Sequence, residues 1–206
     1  MAQSAARKIL SLNVAIYYAG WVACVIGASN GRWVAGTAIA GCLVLAHHAI
    51  ATERNTEMRL AVAVASIGTL IDSLQMALGL LVFHVGQPID WLAQFWIIVL
   101  WALFATTLRY ALYWLNTRLL TSAALGVFGG PLAFYAGHQL GAVDFHPTTG
   151  LSLGILAIVW GVLIPSLLWL SRQITENGLP GSYRFITSES SKNRTYYPIR
   201  PSCRTS

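Results

Sequence analysis

The chain has 206 residues, of which 56% are hydrophobic and 10% are charged, and its mean hydropathy is +0.61. Soluble domains carry about 25% charged residues, so this composition excludes an ordinary soluble domain. The formal net charge is +6, but the basic residues lie in loops and in the C-terminal segment, which favours contact with anionic lipid headgroups over nucleic-acid binding.

Six apolar stretches follow one another along the chain, each near the roughly 20 residues that a helix needs to cross a bilayer. They lie at residues 9–28, 33–51, 60–82, 91–115, 119–140 and 151–170. The sequence therefore predicts an all-α polytopic membrane protein, with a six-helix transmembrane domain over residues 1–172. Residues 173–206 are rich in Ser, Thr, Arg and Pro and are predicted to form a basic, largely disordered tail.

The basic residues are distributed unevenly between two alternating sets of loops. Arg7 and Lys8 precede the first stretch, and others lie in the segments 52–59 and 116–118 and after residue 170. In the other set of loops, Arg32 is the one Lys or Arg residue; these loops are 29–32, 83–90 and 141–150. The positive-inside rule therefore predicts that both termini and the tail are cytoplasmic.

Small residues recur at a spacing of four within the stretches, which predicts close helix packing in lipid. The pairs are Gly36/Ala40, Gly126/Gly130, Gly137/Gly141 and Gly150/Gly154.

Asp72 is the acidic residue that lies well inside an apolar stretch. Counted along a helix from Leu60, it lies about 18 Å from the cytoplasmic edge, close to the bilayer midplane. A carboxyl group at that depth should face the bundle interior and have a partner, and Ser73 and Gln75 add polarity beside it. Two interpretations remain open: a proton or substrate site, and a neutral group that hydrogen-bonds neighbouring helices.

The fifth stretch contains Gly129, Gly130 and Pro131 at a similar depth, about 15–18 Å from the same edge. Pro131 has no N–H group, so the carbonyl of Val127 loses its helical donor. This pattern indicates either a helix break that contacts Asp72, as in transporters, or a simple proline kink.

Arg109 lies near the cytoplasmic end of the fourth stretch. Its depth differs from that of Asp72 by about 15 Å, which is too far for a direct ion pair. We therefore expect the Arg109 side chain to extend to the cytoplasmic headgroups.

Three histidines, His84, His138 and His146, lie toward the predicted outer side, together with Asp90 and Asp144. They are weak candidates for an external metal site, because no ligand-spacing motif supports one. The alternative is that they are polar residues at the membrane interface.

Several short strings, in their order and spacing, resemble a bacterial inner-membrane family known as domain of unknown function 2878. They are Ala19-Gly20-Trp21 with Cys24, Leu70-Ile71-Asp72-Ser73, Leu103-Phe104-Ala105-Thr106-Thr107-Leu108, Gly129-Gly130-Pro131-Leu132-Ala133-Phe134-Tyr135-Ala136-Gly137 and Leu140-Gly141-Ala142-Val143. The resemblance covers about residues 9–172. It implies a small multi-pass protein of the bacterial inner membrane without an established activity. It also implies encoding near enzymes that modify membrane fatty acids. At Arg109 the family pattern often has an uncharged polar residue, so the resemblance assigns Arg109 no role.

Three functions fit these observations. The first is a non-enzymatic membrane component, an accessory to envelope or lipid processes. The second is a small transporter or permease built around Asp72 and the fifth stretch. The third is an intramembrane lipid-modifying enzyme, which is disfavoured because no catalytic, cofactor-binding or metal-binding motif is found. A cavity that reaches Asp72 would favour transport, and a solid apolar core would favour the accessory function.

Overall fold

The computed structural model describes residues 2–87, 89–146 and 148–178, and most of them are helical. The elements in chain order are α1 (Ala2–Ser29), α2 (Trp33–Ile50), α3 (Arg54–Ala77), β1 (Leu81–Phe83), α4 (Phe95–Leu108), α5 (Leu119–Gln139), β2 (Val143–Phe145) and α6 (Thr149–Gly178). Each predicted stretch contains one helix, so the helical architecture predicted from the sequence is confirmed.

The ends of several helices differ from the predicted spans, and the third and fourth end well before the predicted residue. The third stretch was expected to reach residue 82, but α3 ends at Ala77 because Gly79 adopts a positive φ of 69° and turns the chain. The fourth was expected over 91–115, but α4 has 14 residues and is about 21 Å long. The other five helices are long and apolar enough to cross a membrane.

The predicted tail begins later than expected. α6 continues to Gly178, so residues 173–178 are helical rather than disordered. Residues 179–206 of that predicted tail lie outside the described residues.

The two short strands tie together the ends of two helices. β1 follows α3, β2 follows α5, and they pair antiparallel with Val82 opposite Asp144. The C-terminal ends of α3 and α5 therefore lie at the same end of the bundle, called here the strand end.

Helix α4 runs antiparallel to α3 and returns the chain to the opposite end. Before its start, the Ala93 N–H donates to Ser73 Oγ at 2.9 Å, near the end of α3. At its C-cap, Arg109 contacts Glu53 and Glu57 at the start of α3. These contacts fix the direction of α4 although the helix is short.

Close packing between neighbouring helices depends on glycine at three of the predicted small positions. A Cβ atom at Gly36 would overlap the backbone of Ala23 in α1, and one at Gly126 would overlap the backbone of Trp160 in α6. At Gly130 it would overlap the Trp160 ring. Gly150 and Gly154 have open space around them, so they do not serve this purpose within the described residues.

Two glycines of α5 provide a matched test of this packing. Gly126→Ala should lower the free energy of unfolding by about 1–3 kcal/mol, because the new methyl group meets rigid backbone. Gly129→Ala should be neutral or stabilise by up to about 1 kcal/mol, because nothing lies within 4 Å and alanine favours the helix. Unfolding of both variants in mixed micelles measures the difference, and equal effects would contradict the packing.

Candidate functional site

Asp72 is buried inside the helix bundle, with 1% of its surface exposed. Its Oδ2 atom accepts a hydrogen bond of 2.7 Å from the indole N–H of Trp101 in α4. Its Oδ1 atom accepts one of 3.2 Å from the side-chain amide of Gln75, one turn further along α3. The Gln75 Oε1 atom has no hydrogen-bond partner among the described residues. Both carboxyl oxygens thus act as acceptors from neutral donors.

Trp101 is held in place by contacts on both faces of its ring. On one side it packs against Gly68 of α3, where a Cβ atom would overlap the indole. On the other it stacks on Trp160 of α6, with ring centroids 5.1 Å apart and planes at 15°. The Phe104 ring makes T-shaped contacts with both rings, with centroids 5.8 Å apart in each pair. This packing fixes the direction of the indole N–H group, from which Asp72 accepts a hydrogen bond.

A cavity of about 70 Å³ lies beside the Asp72 carboxyl group. Five of the six helices and both strands contribute to its lining, and eight of the fifteen lining residues are aromatic. The aromatic residues are Tyr17, Trp21, Phe83, Trp96, Trp101, Phe104, Phe134 and Trp160. Asp72 is the one acidic or basic residue in this lining. The site is therefore an aromatic pocket with a single carboxyl group.

The pocket extends toward the strand end of the bundle. Phe83 of β1 and Val143 of β2 line it together with Asp72. Asp72 lies five residues before the end of α3, about 8 Å along the helix axis, because α3 stops at Ala77.

The predicted site residues are partly brought together. Gln75 donates a hydrogen bond to Asp72, whereas Ser73 accepts one from the backbone N–H of Ala93 instead. In α5, Ala133, Phe134 and Gly137 line the pocket. The preceding turn, with Val127, Gly129, Gly130 and Pro131, is not part of that lining.

That preceding turn of α5 packs against α6 or faces outward. Gly130 receives the Trp160 ring and Val127 packs against Gly161, while Gly129 has no contact within 4 Å. The connection from Asp72 to Gly130 therefore runs through the stacked rings of Trp101 and Trp160.

Helix α5 is continuous from Leu119 to Gln139 with Pro131 inside it. Of the two alternatives for this segment, the helix break is therefore absent. The proline is accommodated within the helix.

Arg109 forms ion pairs instead of extending to the lipid headgroups as expected. It donates to Glu57 Oε1 at 2.7 Å and to Glu53 Oε2 at 2.6 Å. His47 Nε2 lies 3.4 Å from the other oxygen of Glu57, which is 2% exposed. Burial, with the negative charge of Glu57, raises the pKa of the adjacent Tyr110 to about 12. Hydropathy predicts a loop at residues 52–59, whereas Glu57 lies on the first turn of α3, where its carboxylate reaches Arg109.

Two of the three histidines near the strand end contact the same carboxyl group. His84 Nε2 lies 2.9 Å from one oxygen of Asp144, and His138 Nδ1 lies 3.2 Å from the other. His146 is exposed. Among the residues that the structure describes, no group of three His, Cys, Asp or Glu side chains is arranged to hold a metal ion.

Sequence reasoning missed the aromatic residues of the pocket. The available signal was the position of Trp101 and Trp160, which lie in the middle of their predicted stretches. Tryptophans that anchor a membrane protein lie at the interfaces, so two in mid-span indicate another role.

Comparison with known protein families identifies the family of this chain. Residues 10–166 match the family model described as "Protein of unknown function (DUF2878)". The chain belongs to this family. The resemblance predicted from the short sequence strings is thereby confirmed. No curated protein matches the chain, and no solved structure matches it.

Proposed function

We propose that this member of the DUF2878 family is a multi-pass protein of the bacterial inner membrane that binds a small ligand in the Asp72 pocket, as a small transporter or permease. The observation that carries the proposal is the cavity itself. Helix packing alone does not require a pocket lined by five helices and both strands, because protein interiors are close-packed. Here a carboxyl group lies beside about 70 Å³ of space.

We also infer that the chain crosses the membrane six times. The pairing of β1 with β2 places the ends of α3 and α5 on one side, so the intervening segment with α4 has to return to the other side. The distribution of Lys and Arg supports cytoplasmic termini. The strand end then faces the periplasm.

The outer surface of the bundle supports lipid as its immediate partner. Large apolar side chains on several helices are widely exposed, including Leu120 at 85%, Phe128 at 73% and Ile158 at 71%. In water such a surface would be unfavourable, whereas in a bilayer it contacts acyl chains. Cytoplasmic Lys and Arg residues would contact anionic headgroups.

A pair of adjacent cysteine substitutions tests whether the pocket is open to water. Ala133 lines the pocket, whereas Leu132 is 68% exposed on the outer surface of the same helix. After replacement of the native thiols, Ala133→Cys should react with the small neutral reagent methyl methanethiosulfonate in membranes. Leu132→Cys should react at least tenfold more slowly, because a thiol in lipid is not hydrated and does not ionise.

The two rates are measured by mass spectrometry on the folded, purified protein after quenching. If Ala133→Cys is as unreactive as Leu132→Cys, the pocket is closed to water and the transport function fails. The accessory function would then be favoured.

A further inference from the structure

We propose that the ligand of the Asp72 pocket is an alkylammonium cation, an amine whose positive head carries apolar substituents. This inference rests on the proposed binding function and deepens it by naming the substrate class. The hydrogen-bond partners of the Asp72 carboxyl group, the chemistry of the walls and the size of the space each contribute to it.

The Asp72 carboxyl group has neutral hydrogen-bond partners and no cationic one among the described residues. Its hydrogen bonds come from Trp101 and Gln75, both neutral, and no Lys, Arg or His among the described residues forms an ion pair with it. Arg109 is engaged by Glu53 and Glu57. An ionised carboxylate can accept about four hydrogen bonds, so two acceptor positions remain free. A buried carboxylate is stabilised when a cation joins it.

The second argument is the aromatic lining. Aromatic rings attract cations through their negative faces, and pockets walled by them recognise quaternary ammonium groups. The ring of Trp101 is occupied by packing and its N–H donates to Asp72, so it is not free to contact a cation. Tyr17, Trp21 and Trp96 also line the pocket and provide other aromatic rings. The walls therefore suit a weakly hydrated organic cation.

The same lining disfavours inorganic cations. Mg²⁺ and Ca²⁺ take six or more oxygen ligands, and a mostly aromatic lining offers one carboxyl group and few acceptors for the bound waters that would complete the shell. A guanidinium group needs several acceptors in a plane, since it carries five N–H donors. An alkylammonium head needs one counter-charge and apolar contacts, and this pocket provides both.

The third argument is size. A water molecule requires about 10–15 Å³ of cavity volume, so a cavity of 70 Å³ holds roughly five to seven waters. This accommodates a small head such as a methylated ammonium group. A longer tail would have to leave the pocket. The source is either a free small amine or an amphiphile dissolved in the membrane.

The experiment measures protection of Ala133→Cys from methyl methanethiosulfonate. Tetramethylammonium represents the free amine and dodecyltrimethylammonium represents the amphiphile, each at saturating concentration. At least one should slow the modification tenfold or more. Protection by tetramethylammonium identifies a water-soluble source, and protection by the amphiphile alone identifies a membrane source.

Two controls separate charge from shape. Choline should protect and its uncharged isostere 3,3-dimethylbutan-1-ol should not. Asp72→Asn in the same background should keep the thiol reactive but lose the protection, because asparagine still accepts from Trp101 but carries no charge. If Asp72→Asn does not fold, the isostere comparison on the unaltered aspartate still decides the question.

The outcomes distinguish the two proposals. A reactive Ala133→Cys that no ammonium compound protects, or that the neutral isostere protects equally, overturns the substrate class and leaves the proposed function standing. An unreactive Ala133→Cys overturns the proposed function itself.

Discussion

Replacing Arg109 by methionine is expected to lower the free energy of unfolding by about 3 kcal/mol. The loss of stability comes from Glu57, the ion-pair partner that stays buried after Arg109 is removed. Glu57 is 2% exposed, and without Arg109 its carboxylate would stay buried near His47 with its main ion pair lost. Removing one member of a buried pair is costly because the other charge stays desolvated, and since Arg109 is 17% exposed we expect the lower end of the usual range. Denaturant titration in mixed micelles measures the change.

The matched control is Arg59→Met. Arg59 lies near Glu57 in the N-terminal part of α3 and is exposed, so its replacement should change stability by no more than about 0.5 kcal/mol. In the Arg109→Met background, Glu57→Gln should recover a large part of the loss, because it removes the uncompensated charge. Equal effects of Arg109→Met and Arg59→Met would show that the ion-pair cluster does not stabilise the fold.

Hydropathy predicts the helices of this protein well and their ends poorly. All six apolar stretches contain a helix, because the apolar composition that allows a span needs only local sequence to be recognised. The end of α3 is set by Gly79 in a left-handed conformation, and residues 81–83 then pair with 143–145. That pairing joins segments 60 residues apart, so hydropathy alone does not reveal it.

The burial of Asp72 and its neighbour Gln75 followed from the sequence, but its partner Trp101 did not. The cost of a carboxyl group in lipid already requires an interior position. Counting residues gives depth along each helix, yet it gives neither the rotation of a helix about its axis nor the identity of its neighbours. The Trp101 ring packs against Gly68 of α3 and stacks on the Trp160 ring, which packs against Gly130 of α5, and counting residues does not reveal this stack.

Replacing Trp101 by leucine is expected to lower the free energy of unfolding by about 2–4 kcal/mol, somewhat less than truncation of a buried aromatic residue to alanine. The indole fills the space between Gly68 and the Trp160 ring, and leucine leaves much of it empty. Trp101→Phe keeps a ring in that space but removes the N–H that Asp72 Oδ2 accepts at 2.7 Å, so it should cost about 1–3 kcal/mol. Comparing the two variants separates packing from hydrogen bonding.

A double-mutant cycle isolates the indole–carboxyl bond. The cycle combines Trp101→Phe with Asp72→Ala and measures unfolding of the original protein, both single variants and the double variant. The coupling should be about 1.5–3 kcal/mol, the usual value for a hydrogen bond to a charged group. A neutral carboxyl group would give about 1 kcal/mol instead. The magnitude therefore reports whether Asp72 carries the charge that an alkylammonium ligand would require, and a coupling near zero would remove Trp101 as a partner that stabilises Asp72.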